Sequence, residues 1–426
     1  MLSTLRNAWK VPDLRKKLLW TVLFVAIYRM GSHIPVPGID TDYLKTLTES
    51  GNNLWSFYDL MSGGALSRFS ILALGVVPYI NSSIIMQLLT IAIPPLEQLS
   101  KEGEEGRKKI QNITRYASIL FGVITAYGTY VLMYNQGGIR ESGFAFVYLI
   151  ILTLTVGSAF CMWLGDQITV KGIGNGISLI IFINIVSRIP NTIASIAALK
   201  NMDQVDIIQI ALFAVFVVLL LAVVIYLSLA ERRVTVQYAS KAVGNRVAKG
   251  QSTHIPLSLI GSAVIAIIFA MSVMQFPKTI AQLFPDKDWA KWITGSTYSV
   301  FNEKTWMYPV IYAVLTIFFT WFYTQITFKP DEMAENMNKS AGFIPGIRPG
   351  KPTEKYLENI LTKVSIFGGI FAAILAITPI IIENNTQFKG ISFGGTSLLI
   401  LVGVALDVMR TLESQLVVRH YQGFLK

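Results

Sequence analysis

The sequence predicts an all-α polytopic membrane protein with ten transmembrane helices in two inverted five-helix halves. Three observations carry that prediction: a shortage of charge, a recurrence of apolar stretches of spanning length, and a sidedness in where lysine and arginine fall. Of 426 residues, 53% are apolar and 14% charged, whereas soluble domains are about 25% charged. A helix rising 1.5 Å per residue needs about 20 apolar residues to cross ~30 Å of hydrocarbon. A soluble helical protein of this length would instead carry charge along one face of each helix.

The spans are placed at 18–35, 71–94, 116–134, 145–165, 176–195, 208–229, 257–275, 308–328, 360–380 and 394–410. The first follows Arg6, Lys10, Arg15, Lys16 and Lys17, a lead that resembles a signal peptide. No small-x-small cleavage site follows, and residues 34–38 read IPVPG, so it is read as a retained span. With the N-terminus cytoplasmic, lysine and arginine favour the inside segments by more than two to one, as the positive-inside rule requires. Adding or dropping one span scrambles that alternation. Both termini then lie in the cytoplasm, and the net charge of +11 is explained without nucleic acid. A polar joint near Lys200–Asp206 divides the chain into residues 1–200, with spans 1–5, and 201–426, with spans 6–10. An odd number of spans per half forces opposite orientations, the geometry of inverted repeats.

The second span departs from a simple helix. Residues 69–96 carry no charge, and as one straight helix they would run ~42 Å. Pro78 lacks a backbone donor and disfavours continuity around it. Ahead of it, Asp59–Arg68 holds Ser62, Gly63, Gly64, Ala65 and Leu66, a small-residue stretch too short to span. Together they read as a broken element, a short piece dipping in from outside and then a true span. Non-helical backbone at depth needs protein or water around it; a surface loop packed on the bundle is the plainer alternative.

Gly172, Gly174 and Gly176, in GIGNGISLIIF, read as a tight inside turn opening the fifth span. The spacing is not GxGxxG and no strand precedes it. The inside segments 230–256 and 329–359 are longer than neighbouring helices require. Their basic residues, including Arg232, Arg233, Arg246, Lys249, Arg348 and Lys351, suit an acidic partner, an RNA surface or anionic headgroups.

Nothing in the sequence points to catalysis. Cys161 is the only cysteine, so no internal disulfide can form, and His33, His254 and His420 lack metal-ligand spacing. Gly346–Lys351 imitates a phosphate loop but has three spacers and is followed by Pro352. Arg29, Asp166, Arg188, Lys363, Glu383, Asp407 and Arg410 all fall within a turn or two of a span end. An ion-coupled carrier needs such groups at membrane depth. The expectation is a passive conduit, driven by a partner or by the membrane potential. A small-solute transporter, which would need a polar midplane pocket, and an insertion chaperone, which would need a groove open to the cytoplasm, are the alternatives.

Several motifs, in order along the chain, resemble the SecY family of protein-export channels, bacterial type. They are IPVPG (34–38), SGGALSRFSILALGVVPYINSSIIMQLL (62–89), GNGISLIIF (174–182), QSTHIPL (251–257) and AGFIPGIRPG (341–350). The likeness covers essentially the whole chain. It implies a clamshell around a central pore, sealed outside by a plug near residues 57–70: Asp59, Ser62, Gly63, Gly64, Ala65, Leu66 and Arg68. It also implies a protein-conducting channel subunit of the bacterial cytoplasmic membrane, neither an enzyme nor a cofactor binder. Such a channel passes unfolded secretory polypeptides and releases transmembrane segments sideways into lipid.

The family's apolar pore ring maps onto Val76, Ile80, Ile181, Ile185, Ile268 and Ile400. Such a ring excludes water and ions by dewetting and still yields to a passing chain. On spacing alone, the pairs Val76/Ile80 and Ile181/Ile185 each share a helix face and fit ordinary packing; the motif match makes the assignment. Val76 is smaller than the isoleucine usual in the family, which implies a slightly looser seal. The lateral gate maps onto spans 2 and 7, with Asn81, Ser82, Ser83, Gln87, Ser272 and Gln275. The implied partners are the membrane subunits SecE and SecG, the SecA motor, the ribosome, signal sequences, nascent polypeptides and membrane lipids. Arg232, Arg233, Arg246 and Arg348 are the expected docking residues for motor and ribosome.

Overall fold

Each of the ten expected spans coincides with a helix, and the departures lie at helix ends, where local sequence decides. The computed structural model describes residues 2–37, 62–135, 143–201, 205–238, 242–243, 246–247, 252–261, 263–284, 287–296, 298–302, 305–386 and 395–423. A short α1 (Leu2–Lys10) precedes α2 (Pro12–Gly31). α2 opens on a proline, because the first helical position needs no amide hydrogen. It therefore starts before the apolar run expected from residue 18, and it ends ahead of Pro35 and Pro37.

Residues 62–76 form successive turns, and α3 (Val77–Ala92) begins with Pro78 in its first turn. The expected span 71–94 is thus helical only from Val77. Phe69 (φ 44°) and Gly75 (φ 53°) hold left-handed backbone, which interrupts a right-handed helix. Ile93 is extended, and α4 (Pro94–Lys101) leaves α3 at 100°.

α5 (Glu104–Asn135), α6 (Phe144–Lys171) and α7 (Gly176–Asn201) follow. Between α6 and α7, Gly174 takes φ 72°. Asn175 Oδ1 accepts from the Ile177 and Ser178 amides at 3.0 and 3.2 Å, satisfying donors of the first turn. A Cβ on Gly176 would run into the Gly165 carbonyl oxygen, so glycine is what lets α6 and α7 cross this closely. α7 continues through Pro190, so Arg188 lies well inside the helix rather than near the end expected at 195. α8 (Ile207–Leu229) opens with a capping box, in which Asp206 Oδ1 accepts from the Ile207 amide and Gln209 Oε1 from the Asp206 amide.

The chain then makes β1 (Glu231–Tyr238), β2 (Ala242–Val243), β3 (Arg246–Val247) and β4 (Ser252–Ser258). It continues with α9 (Ala263–Leu283), α10 (Asp288–Gly295), α11 (Met307–Phe328), α12 (Pro330–Lys339), β5 (Gly342–Phe343), α13 (Lys351–Asn385) and α14 (Gly395–Gly423). β1 pairs antiparallel with β4, Val234 opposite Ile255. β5 joins the other edge of β1 through Gln237↔Phe343 and Tyr238↔Gly342.

Two expectations are corrected here. Residues 329–359 are not an extended loop but α12, β5 and the start of α13. Residue 257 belongs to a strand, and α9, the helix of the seventh expected span, starts only at Ala263. For β1 the reason is a period-2 pattern, since Val234 and Val236 are buried while Arg233, Thr235 and Gln237 are exposed.

Among the described residues, five helices are long and apolar enough to cross a membrane, or six if α3 and α4 count as one bent span. α2, α5 and α14 begin or end in charged sequence, and α9 has a shorter apolar part. One buried cluster joins α8, α9, α11, α13 and α14, and a second joins α2, α6, α7 and α14 to the turns before α3.

Candidate functional site

The six aliphatic residues singled out in the sequence come from four helices and meet. Val76, the residue capping the start of α3, is fully buried; Ile181, Ile185 and Ile400 are buried in the same cluster. Ile80 of α3 and Ile268 of α9 are half-buried and pack against this cluster and against the neighbouring one. They therefore sit at the junction of the two cores. The six side chains offer no hydrogen-bonding group, so a passage lined by them would hold neither water nor ions well.

The segment before α3 packs mainly on α5 and α6, with Leu66, Phe69 and Ala73 against Ala126, Met133, Ile150 and Leu154, while Leu72 and Val76 join the cluster just described. Ser62, Gly63, Gly64, Ala65 and Leu66 are buried and Arg68 is half-buried; Asp59 lies outside the described residues. The turns are tied to the end of α2: the Val36 amide donates to Phe69 O and the Ile71 amide to Ile34 O, both at 2.9 Å, around a Pro35↔Ser70 bridge. IPVPG is thereby explained as a strap, since each proline leaves its neighbours extended and free to pair.

Three residues that the sequence did not single out as site residues hold the same segment from two helices. The Tyr28 hydroxyl donates to Ser62 O at 3.5 Å and accepts from Asn184 Nδ2 at 2.8 Å. Arg29 Nη1 donates to Gly63 O at 3.2 Å. The available signal was Arg29 itself, an arginine within a span that has to find a polar partner.

The polar residues assigned to the lateral gate are only partly brought together. α3 and α9 both pack along α5, and α9 also along α11. Ile80, Ile84 and Leu88, one turn apart on α3, face the core of α9 and α11. Gln87 lies 3.5 Å from Ser83 Oγ and shares a hydrogen bond with Tyr323 of α11. Gln275 is buried and Ser272 half-buried. Asn81, Ser82 and Ser272 make no side-chain hydrogen bond among the described residues.

Beyond the bend at Ile93, the exposed Glu97 and Lys101 of α4 pair at 2.7 Å. The bond and charge of Lys101 hold the Glu97 carboxyl below the usual carboxylate range, with a smaller contribution from Lys329. Lys101 is raised by Glu97 first, then by Glu332 and Asp331. α4 thus feels the charges at the start of α12.

The segments 230–256 and 329–359 pack as one folded unit among the described residues. Val234, Val236 and Leu257 pack with Ala334, Met337, Ile344, Leu357 and Leu361, which fixes the β1–β4 hairpin to α12 and α13. Arg232 and Arg233 are exposed on β1, and Arg348 is exposed in the turn where its carbonyl accepts from Thr353 Oγ1 at 2.9 Å. Arg246 lies on β3, and its side chain lies outside the described residues. No group of three or more His, Cys, Asp or Glu able to hold a metal occurs among the described residues.

The SecY family model matches residues 70–409. The protein translocase subunit SecY of Halalkalibacterium halodurans is 42% identical over 436 residues, covering the whole of both chains. Its counterpart in Bacillus subtilis is 40% identical over 439 residues, again end to end, and that of Thermotoga maritima is 38% identical, with 98% of its length covered. A solved structure described as that of a protein conducting channel superposes with a TM-score of 0.67 over 94% of this chain and 92% of that one, at 18% identity. A structure of SecY that concerns its plug domain gives 0.64 over the same coverage. The helices, the turns ahead of α3 and these end-to-end likenesses agree: the chain belongs to the SecY family.

Proposed function

We propose that this chain is the channel subunit of a protein translocase, passing unfolded secretory polypeptides across the membrane and releasing apolar segments sideways into lipid. The family is one of multi-pass membrane channel subunits and not of enzymes. The observation that carries the reading is the convergence of Val76, Ile80, Ile181, Ile185, Ile268 and Ile400 at one place. In this reading they form the constriction, residues 62–70 the plug beneath it, and the face of α3 bearing Ile80, Ile84 and Leu88 one side of the lateral gate. Residues 1–200 and 201–426 are its two halves.

The folded unit carrying Arg232, Arg233 and Arg348 supports docking of a cytoplasmic partner. A solved relative is a Sec61 channel bound to a canine ribosome, and we extend that class of partner, together with SecA, to this surface. SecE and SecG are the expected membrane subunits, and the bacterial plasma membrane with both termini inside is the expected location. The test is reconstitution with these subunits, SecA and ATP in vesicles. Protease-protected accumulation of an unfolded export substrate is expected, and its absence from a correctly assembled complex overturns the proposal.

A further inference from the structure

We infer that Tyr28, Arg29 and Asn184 form a clasp that positions the plug and links its release to movement of the ring. This rests on the plug reading proposed above. Ser62 and Gly63 are buried, and the backbone carbonyls of both are hydrogen-bonded by α2: Ser62 O by Tyr28 and Gly63 O by Arg29. Asn184, fully buried, donates to the Tyr28 hydroxyl across 156 residues of sequence. Gly63 is held so closely that a Cβ on it would lie 2.5 Å from Asn184 Oδ1 and 2.9 Å from Arg29 Nη1, and its φ of 66° already disfavours any other residue. Ser62 Oγ accepts from the Leu66 amide at 3.1 Å, so the gripped residues are also the cap of the turn that carries the rest of the segment.

The link to the ring is one of helix geometry. Asn184 adjoins Ile185 and lies three residues beyond Ile181, so it projects within about 60° of Ile181 on the same helix. A polypeptide that pushes Ile181 and Ile185 outward carries Asn184 with them. The Asn184–Tyr28 bond is then lost, and Tyr28 no longer has the partner that orients its hydroxyl toward Ser62. Arg29, on the neighbouring helix, keeps its bond to Gly63 until the segment itself turns away. Opening is thereby ordered, ring first and plug second, and each buried bond resists the step that breaks it.

The test is the resting ion conductance of the fully assembled channel in planar bilayers. It compares the wild-type chain with Asn184→Ala, Arg29→Gln, Tyr28→Phe and a chain lacking residues 63–68. Asn184→Ala and Arg29→Gln are each expected to raise resting conductance about tenfold, as loss of one buried hydrogen bond would shift the plug equilibrium. In the chain lacking 63–68, Asn184→Ala is expected to add nothing further. Tyr28→Phe removes a single oxygen and keeps the test available if a larger change prevents assembly. If shortening the plug raises conductance while the three substitutions do not, the clasp is wrong and the plug reading stands. If Asn184→Ala acts equally with and without residues 63–68, it works through the ring alone and the clasp is again wrong. If shortening the plug leaves conductance unchanged, the plug reading fails and the clasp fails with it.

Discussion

Ile181 of α7 and Ile400 of α14 are buried in the same apolar cluster, although they lie on opposite sides of the polar joint near residue 200. α7 and α14 pack against each other, and both place branched alkyl groups in this cluster. If this cluster is the proposed constriction, a polar side chain there would let water in. Ile181→Asn is expected to raise resting ion conductance severalfold, whereas Ile181→Leu, which keeps volume and polarity, leaves it near the wild-type level.

The unit formed by β1, β4, α12 and the start of α13 has its own core, separate from the cluster of Val76, Ile181, Ile185 and Ile400, and can be weakened by itself. Leu357 is fully buried against Val234, Val236 and Leu257. Leu357→Ala removes about 2–5 kcal/mol of local stability. Limited proteolysis of the purified complex should cut within 231–258 or 330–350 at lower temperature than in the wild type.

Charge on that unit is separable from its folding. Arg348 is exposed, and its side chain is not part of the core. Arg348→Glu is expected to lower motor-driven export while leaving thermal stability and insertion of transmembrane segments unchanged. Equal export by the two proteins would remove Arg348 from the docking surface.

Gly176 tests the close crossing of α6 and α7. Its missing side chain leaves room for the Gly165 carbonyl. Gly176→Ala forces the helices apart at an overpacking cost of about 1–3 kcal/mol. A lowered unfolding temperature is expected for the solubilised protein, since α7 also carries Ile181 and Ile185.

The pair at the end of α4 responds to pH at its extremes and to salt throughout. Glu97 has a lowered folded pKa, so its contribution is present at neutral pH and is lost as pH falls through that depressed value. Lys101 has a raised folded pKa, so its share is lost only as pH rises through the raised value. Protection of the amides of residues 94–101, taken relative to their intrinsic exchange rates, should be flat across the neutral range and lower in high salt, because both side chains are exposed and screened.

Much of this was legible in the sequence for physical reasons. A spanning helix announces itself by length and apolarity, and Pro78 with Gly63 and Gly64 announced the broken second span. The six positions assigned to the proposed ring were reached only through motif resemblance, because Val76/Ile80 and Ile181/Ile185 spacing is equally that of ordinary packing. Two features stayed hidden. The strand pattern in ERRVTVQY was masked by charge, so β1 and β4 read as loop until pairing with β5 was seen. The partnership of Tyr28 with Asn184 depends on helices far apart in the chain, and single residues of these types carry no periodic signal.

The central claim is that polypeptide passes through the cluster where Ile80 and Ile268 meet. The direct measurement introduces a cysteine at each of these positions in turn, in a Cys161→Ser background, and stalls an export substrate in the assembled channel. Crosslinks from both positions to the stalled chain, absent from an exposed control such as Val218 on α8, are the predicted result. A correctly assembled complex that exports the substrate but gives no crosslink from either position would contradict it.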